Sequence, residues 1–444
     1  MFWMVACQPP ETKPPVESTP VESAAADPVP LENFRPKTII LVNADTLRAD
    51  RLPAYGGPRD TTPLLQARAS GQVRASAWAT SGWTPTSVPS LLTSQEIHGH
   101  GVVGVDGLEY QQVDGQMLQA WLGENGFQTA FFSSNHVLPS TSVVEGWGSY
   151  ALVDDLWSSD KLVDATLSWL EQQDPEEPLF VMLQPMDNHH PWLPPDAYRG
   201  TFVDEDSLPF PIDRDADAQV EAVKAAYLAG SPEQRAALVE GLLAVYDEEI
   251  LGLDASIERL LLGLEAQGRL QDSLLILTAD HGESLYDAPD QLLHGGTLRQ
   301  EVVGIPLLFY SPSIVSADLS EEGCIASSID VWPTLAPLLD LPTPPSLTGI
   351  NLLTDCRTVA RAELFERPPN GSYALSDVVA LSATARLEQL CDRGERNSYD
   401  LRTDPYGLHP VPGLTAETQA LAAPLDEALD ALLSRWPEQR CLGR

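Results

Sequence analysis

Five stretches of the chain are continuously apolar and rich in β-branched or aromatic residues, and polar residues close most of them. They are KTIILVNAD (37–45), FQTAFFSSN (127–135), PLFVMLQPMD (178–187), SLLILTAD (273–280) and IPLLFYSP (305–312). A strand with one wet face alternates apolar and polar residues. An unbroken apolar run marks a strand covered on both faces, as in a parallel sheet. Between the runs the apolar spacing changes to three and four residues, in QMLQAWLGENG, in KLVDATLSWLEQQ and in a long segment at 233–270. That spacing predicts amphipathic helices. Strands alternating with helices predict an α/β sandwich around a mostly parallel central sheet. After about residue 345 the texture shifts: SDVVALSATARLEQLC and NSYDLRTDP read as short antiparallel strands, followed by a helix in AETQALAAPLDEALDALLSRW. The expected organisation is a tether over 1–35, a large α/β domain over 36–345 and a smaller α+β subdomain over 346–444.

In an open α/β sheet, ligands collect outside the carboxyl ends of the strands. The polar residues at those ends are Asn43 to Asp45, Asn135, Asp187 and Asp280. His281 follows Asp280, and a hard carboxylate beside an imidazole suits a divalent metal. One such pair at a strand end is more often plain loop, so weight comes only from convergence with Asp45. A third segment, SGWTPTSVPSLLTS (81–94), enters a helix. Proline is favoured at the first helical position, which makes Thr84 the cap of a helix beginning at Pro85. Pro89 would then lie past the first turn and meet a carbonyl, which makes Ser87 the alternative cap and leaves Thr84 in the loop. Either way a helix N-terminus faces this region, and it favours an anion such as phosphate or sulfate.

Charge narrows the partners. The chain carries 64 acidic against 26 basic residues, a net charge of −38. That field repels nucleic acid and anionic membrane surfaces, so no nucleic-acid partner is expected. No apolar run approaches the ~20 residues of a membrane span. The segment MFWMVACQPP, followed by a Pro/Ser/Ala-rich tether, resembles the end of a bacterial lipoprotein signal. It implies export to the cell envelope, with a lipid on Cys7 as the one membrane attachment. Cys324, Cys356, Cys391 and Cys441 all lie in the last third. Their even number is compatible with two disulfides in an oxidising compartment, or with four unpaired thiols.

Taken in order, ILVNADTLRADRLPAYGGPRDTTPLL, TSGWTPTSVPSLLTSQEIHGHGV, PMDNHHPWLPP, YDEEILGLD, ILTADHGE, LLHGGTLRQEVVGIPLLFY and SSIDVWPTLAPLLDLP resemble the sulfatase family of the alkaline-phosphatase superfamily. NSYDLRTDP is similar to that family's C-terminal subdomain, and the likeness spans roughly residues 37–410. The resemblance implies an alkaline-phosphatase/sulfatase-like sandwich and metal-dependent cleavage of an ester. Carried over residue by residue, it makes Asp45 the first metal-binding aspartate, and Asp280 with His281 the pair completing the site. Thr84 falls at the nucleophile position, where it would also touch the metal. His189 would contact the transferred group, with His190 as its substrate-binding neighbour, and His294 would stand on the leaving-group side. His98 and His100 lie in an H-x-H-G-V-like stretch, and His100 is taken as a further substrate contact.

The departures shape the expected chemistry. Formylglycine sulfatases carry Cys or Ser and then x-Pro-x-Arg, whereas this chain reads Thr84, Pro85, Thr86, Ser87, Val88. Maturation to formylglycine oxidises a primary carbon, and threonine has none, so no formylglycine is expected. Thr46 stands where many sulfatases have a second aspartate, and His281 where calcium enzymes often have Asn. Imidazole moves the expected single divalent ion towards zinc or manganese, with calcium as the alternative. The pattern is similar to threonine-nucleophile phosphodiesterases and lipid-headgroup phosphotransferases. The resulting expectation is a hydrolase or transferase acting on phosphate-type esters of a small molecule, glycan or lipid through Thr84. A sulfuric ester hydrolase and an inactive envelope binding protein are the alternatives. Pocket walls are expected from 136–160 and 196–232.

Overall fold

The computed structural model describes residues 27–103, 111–153, 159–288, 291–320, 323–366 and 374–442; Cys7 and most of the tether lie outside these. The strands are β1 (Thr38–Ala44), β2 (Gln72–Trp78), β3 (Gln128–Ser133), β4 (Ser149–Leu152), β5 (Leu179–Gln184), β6 (Ser273–Ala279), β7 (Ser284–Leu285), β8 (Leu292–Leu293), β9 (Gly304–Tyr310), β10 (Ala317–Asp318), β11 (Ala326–Ser327), β12 (Ala360–Glu366), β13 (Ala374–Leu381), β14 (Ala385–Leu390) and β15 (Glu395–Asp400).

One mixed, mostly parallel sheet runs β10-β2-β9-β6-β1-β5-β3-β4, with β11 also pairing β2. All five apolar runs are in it, and β1, β5, β6 and β9 are buried along their whole length. β9 differs from the other four in direction, lying antiparallel between β2 and β6. An apolar run reports burial on two faces and carries no information on strand polarity. β2 escaped the apolar pattern because QVRASAW alternates buried and exposed positions. The register of β1 against β6 decides the chemistry to come. Ala44 lies opposite Ala279, so the next residues of the two strands, Asp45 and Asp280, emerge side by side.

The predicted long helix spans Pro232–Ala266, opened by a capping box between Ser231 and Gln234 with proline in its first turn. It is unusual in burying acidic residues at its centre. Asp247 binds Arg51 and Arg59, Glu248 accepts the backbone N–H groups of Gly200, Phe202 and Val203, and Glu249 accepts that of Leu193. Asp254 accepts the N–H groups of Leu64 and Leu65. Each carboxylate satisfies loop donors that burial would otherwise strand. Part of the acidic excess therefore sits inside the molecule as loop anchors.

The C-terminal subdomain is the antiparallel sheet β12-β13-β14-β15 covered by helices Ala416–Ala420 and Ala422–Arg435. One face, with Val378 and Leu387, packs on Leu425 and Leu429 of the helix. Ala362, Leu364 and Val379 instead join the main core, so the two parts share packing. The disulfide Cys391–Cys441 closes this region on itself, and Cys324–Cys356 joins it to the preceding segment. Among the described residues no helix is long and apolar enough to cross a membrane.

Asp377 on β13 yields a stability prediction. Burial first, and then Glu388 and Glu366, push its carboxyl up to about 7. A carboxyl whose pKa rises on folding costs nothing below the unfolded value, costs progressively more as pH rises, and costs its full amount above the folded value. Asp377→Asn is expected to stabilise the protein by roughly 2 kcal/mol at pH 8, discounted for partial exposure, and negligibly near pH 4. Denaturant unfolding of both proteins at the two pH values checks this, and equal effects at both would contradict it.

Candidate active site

Asp45 and Asp280 are both fully buried, and their oxygens converge with the His281 ring: one ligand atom from each lies within 4.8 Å of the others. His281 Nε2 is 4.0 Å from Asp45 Oδ1 and 3.7 Å from Asp280 Oδ2. Thr84 Oγ1 completes the group at 3.1 Å from His281 Nε2 and 3.4 Å from Asp45 Oδ2. The supporting contacts come from neighbouring strand ends. Asn135, just past β3, donates to Asp45 Oδ2 at 2.7 Å, and Gln184 at the end of β5 donates to Asp280 Oδ2 at 3.3 Å. The Thr46 and His281 N–H groups both bond Asp280 Oδ1. Thr46 has φ of 58°, a left-handed conformation costly for a β-branched residue. Its carbonyl is held by the Tyr246 hydroxyl of the long helix at 2.7 Å.

The donor set fits a divalent cation. Asp45 Oδ1 is buried with no hydrogen-bond partner. Among the described residues, neither aspartate hydrogen-bonds an arginine or lysine. Burial, with Asp45 adding its charge, pushes the Asp280 carboxyl up to about 7. On His281 burial opposes the positive charge, but Asp280 and Asp45 outweigh it and raise the pKa. Two carboxylates, an imidazole and a hydroxyl facing one point are what such an ion requires.

A second cluster adjoins the first. His189, His190 and His294 bring ligand atoms within 4.8 Å of one another, and the His294 ring centroid is 4.4 Å from that of His281. Glu283, fully buried, stands behind them: its Oε1 is 3.1 Å from His294 Nδ1 and its Oε2 is 3.8 Å from His190 Nδ1. Burial opposes charge on Glu283, yet His294 and His190 outweigh it and hold the carboxyl well below its usual range. Burial pushes His189 down to about 4, with Asp45 pulling the other way. Gly282 links the clusters where no side chain fits, since a Cβ there would lie 2.2 Å from the Glu301 carbonyl oxygen. The hairpin β7–β8 carries the chain from Glu283 to His294, and Gly295 N–H bonds the Gly82 carbonyl. That bond ties the His294 loop to the loop of Thr84.

The helix beginning this loop spans Thr84–Thr93, with Trp83 as its cap. Neither expected boundary holds: Thr84 is the first helical residue, and the Ser87 hydroxyl bonds the Ser81 carbonyl rather than capping. Pro89 sits inside the helix. The missing N–H is tolerated because all ten residues are buried and tertiary packing overrides the local break. His100 is also corrected. It is fully buried, with Nε2 at 2.9 Å from Ser90 Oγ and Nδ1 accepting the Val102 N–H, and burial pushes it down to about 3. Both ring nitrogens are committed inside the fold, so it is a packing residue and not a substrate contact. His98 pairs with Glu363 on β12. Asp187, a strand-end residue, turns to Ser159.

Glu283 was missed as a functional residue, although it lies within the quoted ILTADHGE. Its only sequence signal was its place two residues beyond His281. Of the expected pocket walls, Phe202, Leu208 and Ala226 border a cavity of about 600 Å³ that also touches Arg59 and Leu238. Neither metal-type cluster lines it.

Comparison with known proteins follows the same residues. The family model described as Sulfatase matches residues 37–341. The chain is 20% identical to an N-acetylglucosamine-6-O-sulfatase of Bacteroides thetaiotaomicron, over 88% of this chain and 85% of the relative. A structure described as in complex with its substrate D-glucosamine-2-N,6-O-disulfate superposes with a TM-score of 0.70 at 17% identity, covering 91% and 98% of the two chains. The phosphonate monoester hydrolase of Agrobacterium radiobacter gives a TM-score of 0.67 at 19% identity, covering 90% and 96%.

The correction at His100 is testable. His100→Ala is expected to cost about 2–3 kcal/mol, because Ser90 Oγ and the Val102 N–H lose a buried partner. KM for any ester substrate should stay unchanged. Denaturant unfolding beside steady-state kinetics checks both, and a raised KM would restore a substrate role.

Proposed function

The chain belongs to the sulfatase family, and from that premise we propose a metal-dependent hydrolase or transferase that cleaves phosphate-type esters with Thr84 as nucleophile. The observation that carries the reading is the Thr84 hydroxyl, 3.1 Å from His281 Nε2 and 3.4 Å from Asp45 Oδ2 at a helix N-terminus. A divalent cation held by Asp45, Asp280, His281 and Thr84 would acidify the hydroxyl and neutralise the transferred group, with zinc or manganese preferred over calcium for the imidazole ligand.

Thr84 Oγ1 attacks phosphorus in line, its bond to phosphorus forming as the bond to the leaving oxygen breaks. The helix N-terminus favours the anionic group during the transfer. His189 takes a non-bridging oxygen, His190 flanks it, and His294 faces the departing oxygen. Water, or an acceptor hydroxyl, then attacks phosphorus and restores the threonine hydroxyl. A geminal diol could release its cargo by collapsing to an aldehyde. Threonine has a single hydroxyl, so release must occur at the transferred atom, which favours phosphorus. The fold shared with a phosphonate monoester hydrolase is consistent with this choice.

Sulfate esters form the second reading, favoured by near full-length similarity to an N-acetylglucosamine-6-O-sulfatase. Both readings take a small-molecule or glycan ester. The two disulfides support an oxidising, extracytoplasmic setting.

The test is hydrolysis of aryl phosphodiester, phosphomonoester and sulfate by protein loaded with Zn²⁺, Mn²⁺ or Ca²⁺, beside Thr84→Ala. Phosphate-type cleavage should fall about a thousandfold or more in the variant. Equal rates for the two proteins would overturn the mechanism. Sulfate cleavage alone, lost in Thr84→Ala, would select the second reading.

A further inference from the structure

A fully buried arginine stands just behind the strand ends, and the catalytic chemistry proposed above makes no use of it. Arg48 follows Asp45 by three residues and is wholly enclosed. Its guanidinium meets acceptors from separate parts of the chain. Nε and one terminal nitrogen bond the two Asp50 oxygens at 2.9 and 2.7 Å, and that same nitrogen bonds Asp287 at 2.5 Å. The other terminal nitrogen donates to the Glu283 carbonyl oxygen at 3.0 Å. The Arg48 N–H donates to the Tyr246 hydroxyl, which in turn holds the Thr46 carbonyl. One residue thus joins the segment leaving β1, which carries Asp45, to the segment leaving β6, which carries Asp280 and His281. Gly282 lies against its stem, since a Cβ there would come within 3.0 Å of Arg48 Cγ.

The brace continues into the C-terminal subdomain. The Tyr406 hydroxyl, beyond β15, donates to Asp50 Oδ2 at 3.0 Å, and this oxygen also accepts from Arg48. Stability alone does not account for a charge in such a place, because well-packed apolar residues often replace a buried ion pair without loss. A planar guanidinium does what an apolar side chain cannot: its donors point in fixed directions and hold two backbone segments at one separation. We infer that Arg48 is a positioning residue of the aspartate–histidine site, and that the C-terminal subdomain completes this site by setting Arg48 through Tyr406 and Asp50. The path runs from the Tyr406 hydroxyl to Asp50, from Asp50 to the guanidinium, and from there to the Glu283 carbonyl, two residues beyond His281. The inference rests on the metal site proposed above, and not on the ester or on the nucleophile.

The experiment reads metal affinity beside turnover. Full-length protein with Cys7 alkylated is stripped by chelation, and Zn²⁺ binding is measured by competition with a chelating indicator. The ion lost in Asp45→Asn/Asp280→Asn marks the site. Tyr406→Phe removes one hydroxyl outside the site and is expected to bind that ion about 10-fold more weakly, with kcat down about 10-fold and KM unchanged. The denaturant midpoint of the metal-free protein should not move. Asp50→Asn should weaken binding at least as much, and adding Tyr406→Phe to it should cost nothing further, because both act through one arginine. Arg48→Lys keeps the charge but cannot span Asp50, Asp287 and the Glu283 carbonyl together, so its affinity should fall about 100-fold. Should Arg48→Lys fail to fold, Tyr406→Phe decides alone. A merely structural bond would lower the midpoint and leave the affinity of the folded protein unchanged. Wild-type Zn²⁺ affinity in Tyr406→Phe, or full additivity with Asp50→Asn, overturns the inference. Absence of Zn²⁺ binding in wild type overturns it together with the metal site. Full activity in Thr84→Ala, with affinity still lost in Tyr406→Phe, removes the proposed mechanism and leaves the positioning role standing.

Discussion

Two carboxylates buried side by side are the constraint from which the rest of the site follows. Strand register places Asp45 and Asp280 at adjacent ends of β1 and β6, both out of reach of solvent. Two unit charges within 4.8 Å repel by about 3 kcal/mol even at an effective dielectric near 20. The fold answers with neutral and partial positive charge: side-chain amides from Asn135 and Gln184, backbone N–H groups from Thr46 and His281, and the His281 ring. Thr46 adopts a costly left-handed conformation while donating one of these bonds. Asp45 Oδ1 nonetheless remains without a partner. A buried pair left partly uncompensated after so many donors is stable only with a cation or a shared proton.

The long helix is the counterpart of that pair on the structural side. Its Tyr246 hydroxyl holds the Thr46 carbonyl, and Glu248 and Glu249 gather the backbone donors of the segment following the histidine pair. Gln219 reinforces this by bonding both the N–H and the carbonyl of Trp192. The histidine-bearing segment is therefore fixed from outside the sheet, by side chains that never touch the site. Part of the acidic excess is thereby used inside the molecule. The helix's Asp247, Glu248, Glu249 and Asp254 each meet specific donors, and these contribute to positioning rather than to surface field.

Legibility from sequence divides along the range of the interaction involved. The apolar runs exposed the core strands, and the rule about carboxyl ends exposed Asp45 and Asp280, because burial and strand direction are written locally. β2 was hidden by its single buried face, and the direction of β9 could not be read from an apolar run. Pro89 misled the placement of the helix start because a local rule was outweighed by complete burial of that helix. His100 and His189 look alike in sequence, each in a polar motif. Only packing separates a histidine sealed between Ser90 and Val102 from one in the cluster facing His281. Glu283 was the hardest to see. Its role depends on His294, which returns only after a hairpin.

The missing arginine of the nucleophile motif is the last point the structure reinterprets. Val88 occupies its place and is fully buried within the main apolar core. A guanidinium there would enter that core rather than the site, at the cost of an unpaired buried charge. The helix begins at Thr84, and its fourth following residue, Val88, is turned inward. Positive charge for an anionic group must then come from elsewhere. The His281 imidazole lies 3.1 Å from the Thr84 hydroxyl, and His294, His189 and His190 adjoin it in turn. Imidazoles held by a carboxylate or carbonyl are weaker cations than arginine but better metal ligands. With valine at this position, the side chain able to carry positive charge at the Thr84 hydroxyl is the His281 imidazole, 3.1 Å away.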